Sequence, residues 1–302
     1  MKKRIFLLPL LFIAACSGSD KTGPEPTDPT PVNWSAVEVR NGLRWLSFRG
    51  DEPVSGAKQV INALEVDLGA SGLAFEFQYY PAKTTMSAAI GATEGAIAGT
   101  NASFGTPHTF IRTNGTTWCD LSQADPSITG NWRKHEAAVW YDGEQTFGFL
   151  NYEGDPYGCI PKYQATTYPN MFSSRPMLIE DGKGVEWKGS GYDSFSKNVE
   201  PRTVLAQLRD GKILLLTVDG RWYGMAAGMT YVQLRDFLKL NFNPLNAINM
   251  DGGGSTTMYV KGKGKNGIVN YPCDGTASSS YKEYTGSFTE RSVPTFFVIR
   301  ER

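Results

Sequence analysis

Three Asp-Gly dipeptides, each placed between short apolar segments, constrain the fold of this chain more than any other feature of its sequence. They are Asp142-Gly143, Asp181-Gly182 and Asp210-Gly211. Asp-Gly is a preferred dipeptide of the tight turns that join antiparallel strands, because those turns need positive φ angles. The third is the clearest, since mainly aliphatic residues flank it over 204–216. The sequence therefore predicts an antiparallel sheet with three hairpins.

Hydrophobic periodicity predicts further strands and two helices. Alternating aromatic residues at Phe75, Phe77 and Tyr79 are typical of a half-buried strand. Residues 230–233 match a capping box, and apolar residues then recur at helical spacing, so we predict a helix from Thr230 to about Leu240. A second helix is expected in the Ala-rich segment 84–93. Other predicted strands cover 45–48, 60–68, 96–101 and 293–300.

The composition fits a globular protein of one large domain or two small ones. A chain of 302 residues with 40% hydrophobic content can bury a full core. We predict an α+β fold in which residues 34–302 form a single domain of mixed, mainly antiparallel twisted β-sheets with a few flanking helices. Lys and Arg number 30, as do Asp and Glu, so charge gives no reason to expect nucleic acid as a partner.

The N-terminus has the pattern of an exported bacterial lipoprotein. Residues 1–15 combine a basic start with an apolar run too short to span a bilayer, as in a signal peptide. Cys16 follows Ala14-Ala15 as in a lipobox, which predicts a lipid on Cys16 that anchors the protein to the membrane. Residues 16–33 are rich in Pro and Thr and are predicted to be a flexible tether. We expect the protein in the periplasm or on the cell surface, anchored at the outer membrane.

Three cysteines remain if lipid occupies Cys16. These are Cys119, Cys159 and Cys273, which allow at most one disulfide. Cys119 with Cys159 is the pair we expect. None of the spacings matches a zinc site.

Residues 247–260 carry the most informative local chemistry. Apolar segments that are predicted to be strands flank a loop with one carboxylate, three glycines and three hydroxyl groups: Asp251, Gly252, Gly253, Gly254, Ser255, Thr256 and Thr257. Glycines let successive N–H groups converge on an anion, so the loop is predicted to bind phosphate. A tight turn in which the glycines only reverse the chain is the alternative. No lysine follows the glycines, so the loop is not a P-loop.

Polar residues recur at predicted strand ends or in tight turns along the chain. They are Asn101, Arg202, Asp219, Asp251 and Arg291. Each has an ordinary structural explanation when it is taken alone. Together they predict a shared cleft at the ends of several strands.

Eight segments, taken in order, resemble the phosphodiester glycosidase family over most of residues 36–300. They are Glu65-Val66-Asp67, 96–101, 175–179 with Asp181-Gly182-Lys183, Pro201-Arg202-Thr203, Asp219-Gly220-Arg221, 251–256, Val269-Asn270 and Glu290-Arg291. One segment departs from the family, which usually has Asn-Gly-Gly-Phe-Phe where this chain has Asn101-Ala102-Ser103-Phe104-Gly105.

The resemblance implies a hydrolase that cleaves a glycosyl phosphodiester at the anomeric carbon, without a cofactor. Such an enzyme needs charge neutralisation on the departing phosphate and a carboxylate that attacks or activates water. We therefore assign Arg202, Arg291 and the N–H groups of Gly252 to Ser255 to the phosphate. Asp251 is assigned as base or nucleophile, and Asp219 or Glu65 as the second carboxylate. Asn101 and Thr256 are expected to orient sugar hydroxyls.

Two other functions are compatible with the sequence. In the first, the protein binds carbohydrate without turnover, and Trp118, Trp132 and Tyr157 form a stacking platform. In the second, it is a metal-dependent phosphodiesterase, with Asp67, Asp219 and Asp251 as oxygen ligands of a divalent cation.

Overall fold

The computed structural model describes residues 29–70, 72–122, 135–152, 154–155, 157–187, 197–274 and 281–302. The predicted signal peptide, Cys16 and most of the predicted tether lie outside them. Within the described residues, no helix combines the length and the apolar composition needed to cross a bilayer.

Strands make up most of the regular structure, and short helices connect them. The strands are β1 (Ser35–Arg40), β2 (Leu43–Glu52), β3 (Ala57–Val66), β4 (Leu73–Thr84), β5 (Ala96–Asn101), β6 (Ile111–Thr113), β7 (Thr116–Cys119), β8 (Ala137–Tyr141), β9 (Phe147–Asn151), β10 (Asn170–Ser174), β11 (Met177–Glu180), β12 (Lys183–Gly184), β13 (Arg202–Gln207), β14 (Ile213–Val218), β15 (Asn246–Asn249), β16 (Met258–Val260) and β17 (Val293–Glu301). The helices are α1 (Met86–Ala92), α2 (Cys159–Gln164) and α3 (Tyr231–Asn241), with a 3₁₀ turn at Gly253–Ser255.

Three antiparallel sheets form the domain, which confirms the predicted α+β fold. One sheet has eight strands in the order β1-β2-β3-β14-β13-β15-β11-β12. The second has the order β7-β6-β10-β8-β9, and the third has the order β16-β5-β17-β4. Each of the three Asp-Gly dipeptides lies between paired neighbours, namely β8 and β9, β11 and β12, and β13 and β14. The three predicted hairpins are therefore confirmed.

An apolar core lies where the three sheets meet. Leu64 and Leu215 come from the eight-stranded sheet, Phe77 and Phe297 from the four-stranded sheet, and Phe172 from the five-stranded sheet. The period of two along a strand gives the eight-stranded sheet a second apolar face. For example, Leu214 and Leu216 of β14 pack in a second cluster with α3. The central strands of this sheet are thus buried on both faces, which makes their ends rigid supports for a site.

Helix α3 begins where its capping box predicts. The Thr230 hydroxyl accepts from the N–H of Gln233 at 3.2 Å, and the Gln233 side chain accepts from the N–H of Thr230 at 2.9 Å. Leu234, Phe237 and Leu238 then face the sheet and are buried. Helix α1 begins after its N-cap Thr85, within the predicted Ala-rich segment.

Two details differ from the sequence predictions. Cys119, Cys159 and Cys273 are all free thiols, so the expected pair between Cys119 and Cys159 is absent; both residues instead pack in one apolar cluster below the five-stranded sheet. At the N-terminal end, Val32 is buried and its N–H donates to Asn241 at 2.9 Å. The segment predicted to be a tether therefore includes a residue that packs on the domain.

Candidate active site

A cleft of about 180 Å³ opens at one end of the eight-stranded sheet. Three neighbouring strands end or begin there, because Arg202 at the start of β13 pairs with Val218 at the end of β14, and Asn249 at the end of β15 pairs with Val204. The lining residues are Phe104, Glu200, Arg202, Arg221, Tyr231, Asn249, Met250, Asp251, Gly252, Gly253, Gly254 and Arg291. The structure thus brings together Asp251, the three glycines, Arg202 and Arg291, as the sequence predicted for a shared cleft.

The three glycines permit close approach rather than a simple chain reversal. A Cβ on Gly252 would lie 2.5 Å from the carbonyl oxygen of Pro201, and a Cβ on Gly254 would lie 2.5 Å from Nη2 of Arg291. Gly253 has φ +61°, and a Cβ there would lie 3.1 Å from Nη2 of Arg221. Glycine removes the side chains that would separate the loop from these guanidinium groups. The loop and two arginines consequently face one another directly.

The predicted row of N–H donors is shorter than the sequence suggested. The N–H of Gly253 donates to Pro201 O at 2.9 Å, and that of Ser255 donates to Gly252 O at 3.2 Å. The 3₁₀ turn uses the Ser255 N–H internally, because its geometry pairs an N–H with a carbonyl three residues earlier, and the Gly253 N–H is taken by the neighbouring segment at Pro201. At most the N–H groups of Gly252 and Gly254 are left for a ligand. The arginines must therefore supply most of any anion binding.

Arg202 is the most deeply buried of the three arginines. It is 2% exposed, its guanidinium stacks over the ring of Tyr231 at 4.1 Å, and it donates to the carbonyls of Met229 and Asn198 at 2.7 Å each. Burial lowers the pKa of Arg202, while Tyr231 and Glu200 oppose that shift. Arg202 thus fastens three chain segments at the floor of the cleft.

Arg221 and Arg291 are more accessible, and each is held by one carboxylate. Arg221 contacts Glu200 through Nε and Nη2 at 2.7 Å, and Arg291 contacts Asp274 in the same way at 2.7 Å. The Arg221 side chain is 13% exposed and the Arg291 side chain is 42% exposed. Two contacts to one oxygen fix the guanidinium plane while using two of its five N–H donors.

Asn101 lies behind the glycine loop and does not line the cleft. It is 1% exposed, its Nδ2 donates to the carbonyl of Asp251 at 2.6 Å, and its Oδ1 accepts from Thr203 and from the N–H of Thr257. Thr256 is also 1% exposed and lies beside Thr203. The structure therefore places the two residues expected to orient sugar hydroxyls where they position the loop. Ser255, likewise buried, does not line the cleft.

Asp219, assigned as a second carboxylate, is also beneath the loop. It is 1% exposed and accepts from Nδ2 of Asn270 and from the N–H of Tyr271, both at 2.8 Å. Asn270 in turn donates to Thr256 O at 3.0 Å and accepts from the N–H of Met258. Burial raises the pKa of Asp219 to about 7, although both hydrogen bonds oppose that shift. Asp219 supports the loop from a position that is buried away from solvent.

Glu65, the other assigned second carboxylate, lies at the far end of the same sheet. It pairs with Leu214 on β14, whereas the cleft is at Val218, four residues along that strand. At about 3.3 Å per residue this separation is roughly 13 Å. Glu65 forms an ion pair with Arg44 at 3.1 Å and does not line the cleft.

The cleft contains residues that sequence reasoning did not select. Glu200 and Arg221 form its internal ion pair, and Tyr231 and Phe104 supply aromatic walls. Glu200 precedes the segment Pro201-Arg202-Thr203, and Arg221 ends the segment Asp219-Gly220-Arg221, in which it was given no role. No sequence signal pointed to Tyr231, because the first residue after a helix N-cap is ordinarily interpreted as part of the packed face of the helix.

The described residues assigned to the two alternative functions lie away from the cleft or apart from one another. Asp67 follows Val66 at the far end of β3, whereas Asp219 follows Val218 at the cleft end of β14, so these two cannot share a cation with Asp251. Among the described residues no cluster of three or more His, Cys, Asp or Glu side chains has metal-binding geometry. Trp118 is 49% exposed and packs on Tyr79; neither it nor Tyr157 lines the cleft, and Trp132 lies outside the described residues.

Comparison with known proteins gives one family and several relatives. A family model for phosphodiester glycosidases matches residues 89–300. The N-acetylglucosamine-1-phosphodiester alpha-N-acetylglucosaminidase of Bos taurus is 34% identical over 83 residues, which are 28% of this chain and 14% of that protein. The SPbeta prophage-derived uncharacterized protein YomE of Bacillus subtilis (strain 168) is 32% identical over 167 residues, which are 55% and 24% of the two chains. The chain thus spans less than a quarter of the length of either relative.

Two solved structures share the fold. The zebrafish N-acetylglucosamine-1-phosphodiester alpha-N-acetylglucosaminidase catalytic domain, auto-inhibited by its pro-peptide, superposes with a TM-score of 0.60 at 20% identity, covering 89% of this chain and 88% of that one. A hypothetical protein from Synechocystis has a TM-score of 0.58 at 13% identity, covering 90% and 64%. At these identities the likeness concerns the arrangement of the sheets.

Proposed function

This chain belongs to the phosphodiester glycosidase family, and we propose that it hydrolyses a glycosyl phosphodiester at the anomeric carbon of the sugar. The observation that carries the proposal is the convergence in one cleft of the Asp251 carboxylate and of two guanidinium groups above the glycine loop. We further propose an α-N-acetylglucosaminyl ester as the substrate, which the name of the Bos taurus relative supports.

The anionic phosphodiester lies, in this proposal, against Arg221 and Arg291 above Gly253 and Gly254. Both guanidinium groups are held in place by a carboxylate before substrate arrives, so little reorganisation is needed when charge develops on the departing phosphate. The leaving group is a phosphate monoester, which is a weak base. Strong general acid assistance is therefore needed less than in ordinary glycosides.

Asp251 supplies the carboxylate that attacks the anomeric carbon or activates water there. It is partly exposed and directly follows β15, whose last residue is held by the neighbouring strand β13. Its N–H donates to Ala102 O at 2.8 Å, and its carbonyl accepts from Asn101 at 2.6 Å. The backbone of Asp251 is thus fixed on both sides, and the residue lines the cleft near Tyr231. Glu200 stays paired with Arg221, and in this scheme it orients that arginine.

The direct test is hydrolysis of an α-N-acetylglucosaminyl phosphodiester by purified wild type and variants. We expect Asp251→Asn and Arg291→Ala each to lower kcat/KM by about 100-fold or more, the range observed when a preorganised electrostatic contact is removed. Asp251→Asn keeps the shape of the side chain, so a loss there reports on charge. Wild-type rates in both variants would refute the proposal.

Two matched controls separate chemistry from general damage. Arg44→Ala removes an exposed arginine far from the cleft, and Glu65→Gln removes the carboxylate that pairs with it. Both are expected to keep near-wild-type kcat/KM. Assays with and without EDTA test the metal-dependent alternative, and activity that EDTA abolishes and Mg²⁺ restores would support that alternative instead.

A further inference from the structure

An apolar groove of about 360 Å³ lies beside the candidate active site and has no part in the scheme above. It is lined by Trp222, Tyr223, Met225, Ala227, Tyr281 and the stem of Lys58. Tyr223 is 71% exposed and Tyr281 is 42% exposed, and they are two of the four large hydrophobic side chains that the described residues leave exposed. A contiguous apolar patch of this kind on a small domain marks a binding surface more often than chance exposure does.

Several polar groups of the groove are already engaged within the protein. The Tyr281 hydroxyl donates to Ala227 O at 3.0 Å, and Nε1 of Trp222 donates to Tyr271 O at 2.7 Å. The N–H groups of Tyr223, Met225 and Ala227 donate to backbone carbonyls, and the Lys58 ammonium contacts Asp51. The lining therefore presents hydrocarbon and ring faces with few groups for hydrogen bonding.

The groove is continuous with the cleft through one short stretch of chain. Arg221, a cleft residue, directly precedes Trp222, and Lys282 binds this segment by donating to Arg221 O at 3.1 Å and accepting from the N–H of Tyr223 at 2.8 Å. Tyr281 precedes Lys282. Burial raises the pKa of Tyr281, with a further contribution from the nearby Glu200 carboxylate and an opposing one from Arg221. Arg221 of the cleft and Tyr281 of the groove are thus close enough to interact electrostatically.

We propose that this groove is the aglycone subsite, and that the aglycone is an alcohol with a hydrocarbon chain. The inference rests on the proposed function, since it places the substrate phosphate at Arg221. The substrate would then be amphipathic, with a sugar and a phosphate in the charged cleft and an alkyl chain along Trp222, Tyr223 and Tyr281.

The lining favours a hydrocarbon over a second sugar. A pyranose ring can stack on an aromatic face, but its hydroxyl groups lose water on binding and need protein partners in return. The groove offers few such partners, because the Tyr281 hydroxyl, the Trp222 indole N–H and the N–H groups of Tyr223, Met225 and Ala227 are already bonded. An alkyl chain needs none. Each buried methylene contributes about 0.8 kcal/mol, which corresponds to roughly a fourfold gain in binding.

A homologous substrate series tests the proposal. The probes are the methyl, butyl and octyl esters of α-N-acetylglucosamine 1-phosphate, used below the concentration at which they form micelles. We expect kcat/KM to rise about twofold to fourfold per methylene until the groove is filled. Tyr223→Ala should reduce the advantage of the octyl over the methyl ester by about tenfold or more, while the methyl ester is hydrolysed at the wild-type rate.

The variants are chosen so that misfolding cannot imitate the effect. Tyr223 is largely exposed, so its removal is expected to leave the fold intact. Tyr281→Phe keeps the ring and should keep the chain-length dependence, whereas Tyr281→Ala should lose it. Trp118→Ala removes an exposed aromatic residue of another sheet and should change nothing.

A binding measurement separates the failure of this inference from the failure of the proposed function. Titration calorimetry compares octyl phosphate with methyl phosphate. If no ester is hydrolysed but octyl phosphate binds at least tenfold tighter and Tyr223→Ala removes that gain, the groove is supported and the glycosidase proposal fails. Hydrolysis without chain-length dependence would overturn the inference. The inference would also be overturned if the preferred substrate were an ester whose alcohol is a sugar and if Tyr223→Ala abolished that preference.

Discussion

Asp251 and Asp219 have different roles because their surroundings differ. Asp251 is partly exposed and lines the cleft among arginines. Asp219 is 1% exposed and accepts one hydrogen bond from the N–H of Tyr271 and one from Asn270, which also donates to the carbonyl of Thr256 in the glycine loop. Asp251 is available to substrate, and Asp219 supports the loop that carries Asp251. The assignment of Asp219 as a second catalytic carboxylate therefore has no geometric support at the cleft.

The burial of Asp219 predicts a pH-dependent stability. Its pKa is about 7 in the folded protein and 3.8 for the unperturbed side chain, so between these values the folded chain holds a proton that the unfolded chain has lost. The free energy of unfolding should therefore fall as pH rises from about 4 to 7, by up to about 4 kcal/mol from this group. Urea unfolding at a series of pH values measures it.

Asp219→Asn is the matched control, because an amide of the same size does not titrate. The difference in unfolding free energy between wild type and this variant should change across the same pH window. A constant difference from pH 4 to pH 8 would show that Asp219 is ionised throughout in the folded protein.

At the scale of elements, the cleft depends on how strands and one helix end. Strands β13, β14 and β15 place Arg202, Asp219 and Asp251 at the same end of the sheet. They do so because neighbouring antiparallel strands run in opposite directions, so that one begins where the next ends. Helix α3 adds Tyr231 at its first residue, where the ring supports the guanidinium of Arg202 at 4.1 Å. The start of α3 thus matters to the cleft as well as to the helix.

Removal of the α3 N-cap should therefore cost stability. Thr230→Ala deletes the acceptor for the N–H of Gln233 and is expected to lower the free energy of unfolding by about 1 kcal/mol. Thr230→Ser keeps the hydroxyl and should lie near wild type. Guanidinium chloride unfolding measures both, and equal stability of the Ala and Ser variants would contradict the capping role.

At the scale of the whole molecule, three sheets enclose one core and leave the cleft at the rim. Val32 and Trp34 pack against the eight-stranded sheet. We propose that the segment before Val32 joins the domain to a membrane through a lipid on Cys16, as its lipobox-like sequence predicts. A hydrocarbon-bearing substrate and a membrane tether would be compatible with one location.

The lipid anchor has a simple test in a bacterial host. The full chain should be recovered in the membrane fraction and should release a lipid-modified N-terminal peptide on digestion. Cys16→Ser should move the protein to the soluble fraction, with the activity of the domain unchanged. A wild-type protein that is soluble and unmodified would refute the anchor.

The sequence predicted those parts of the structure that depend on neighbouring residues. The Asp-Gly hairpins and the α3 capping box are local, and both were confirmed. The grouping of strands into three sheets depends on contacts between distant segments and was not predicted. The same limit explains the site, because burial separates Asp219 from Asp251 and register places Glu65 at the far end of β3. Neither side-chain burial nor strand register can be read from a sequence motif.

The position of bond cleavage tests the central claim most directly. A glycosidase breaks the bond between the anomeric carbon and oxygen, whereas a phosphodiesterase breaks a bond between phosphorus and oxygen. Hydrolysis of an α-N-acetylglucosaminyl phosphodiester in water enriched in oxygen-18, followed by mass spectrometry, distinguishes them. We predict the label on the released sugar and an unlabelled phosphate monoester. Label on the phosphate would contradict the account.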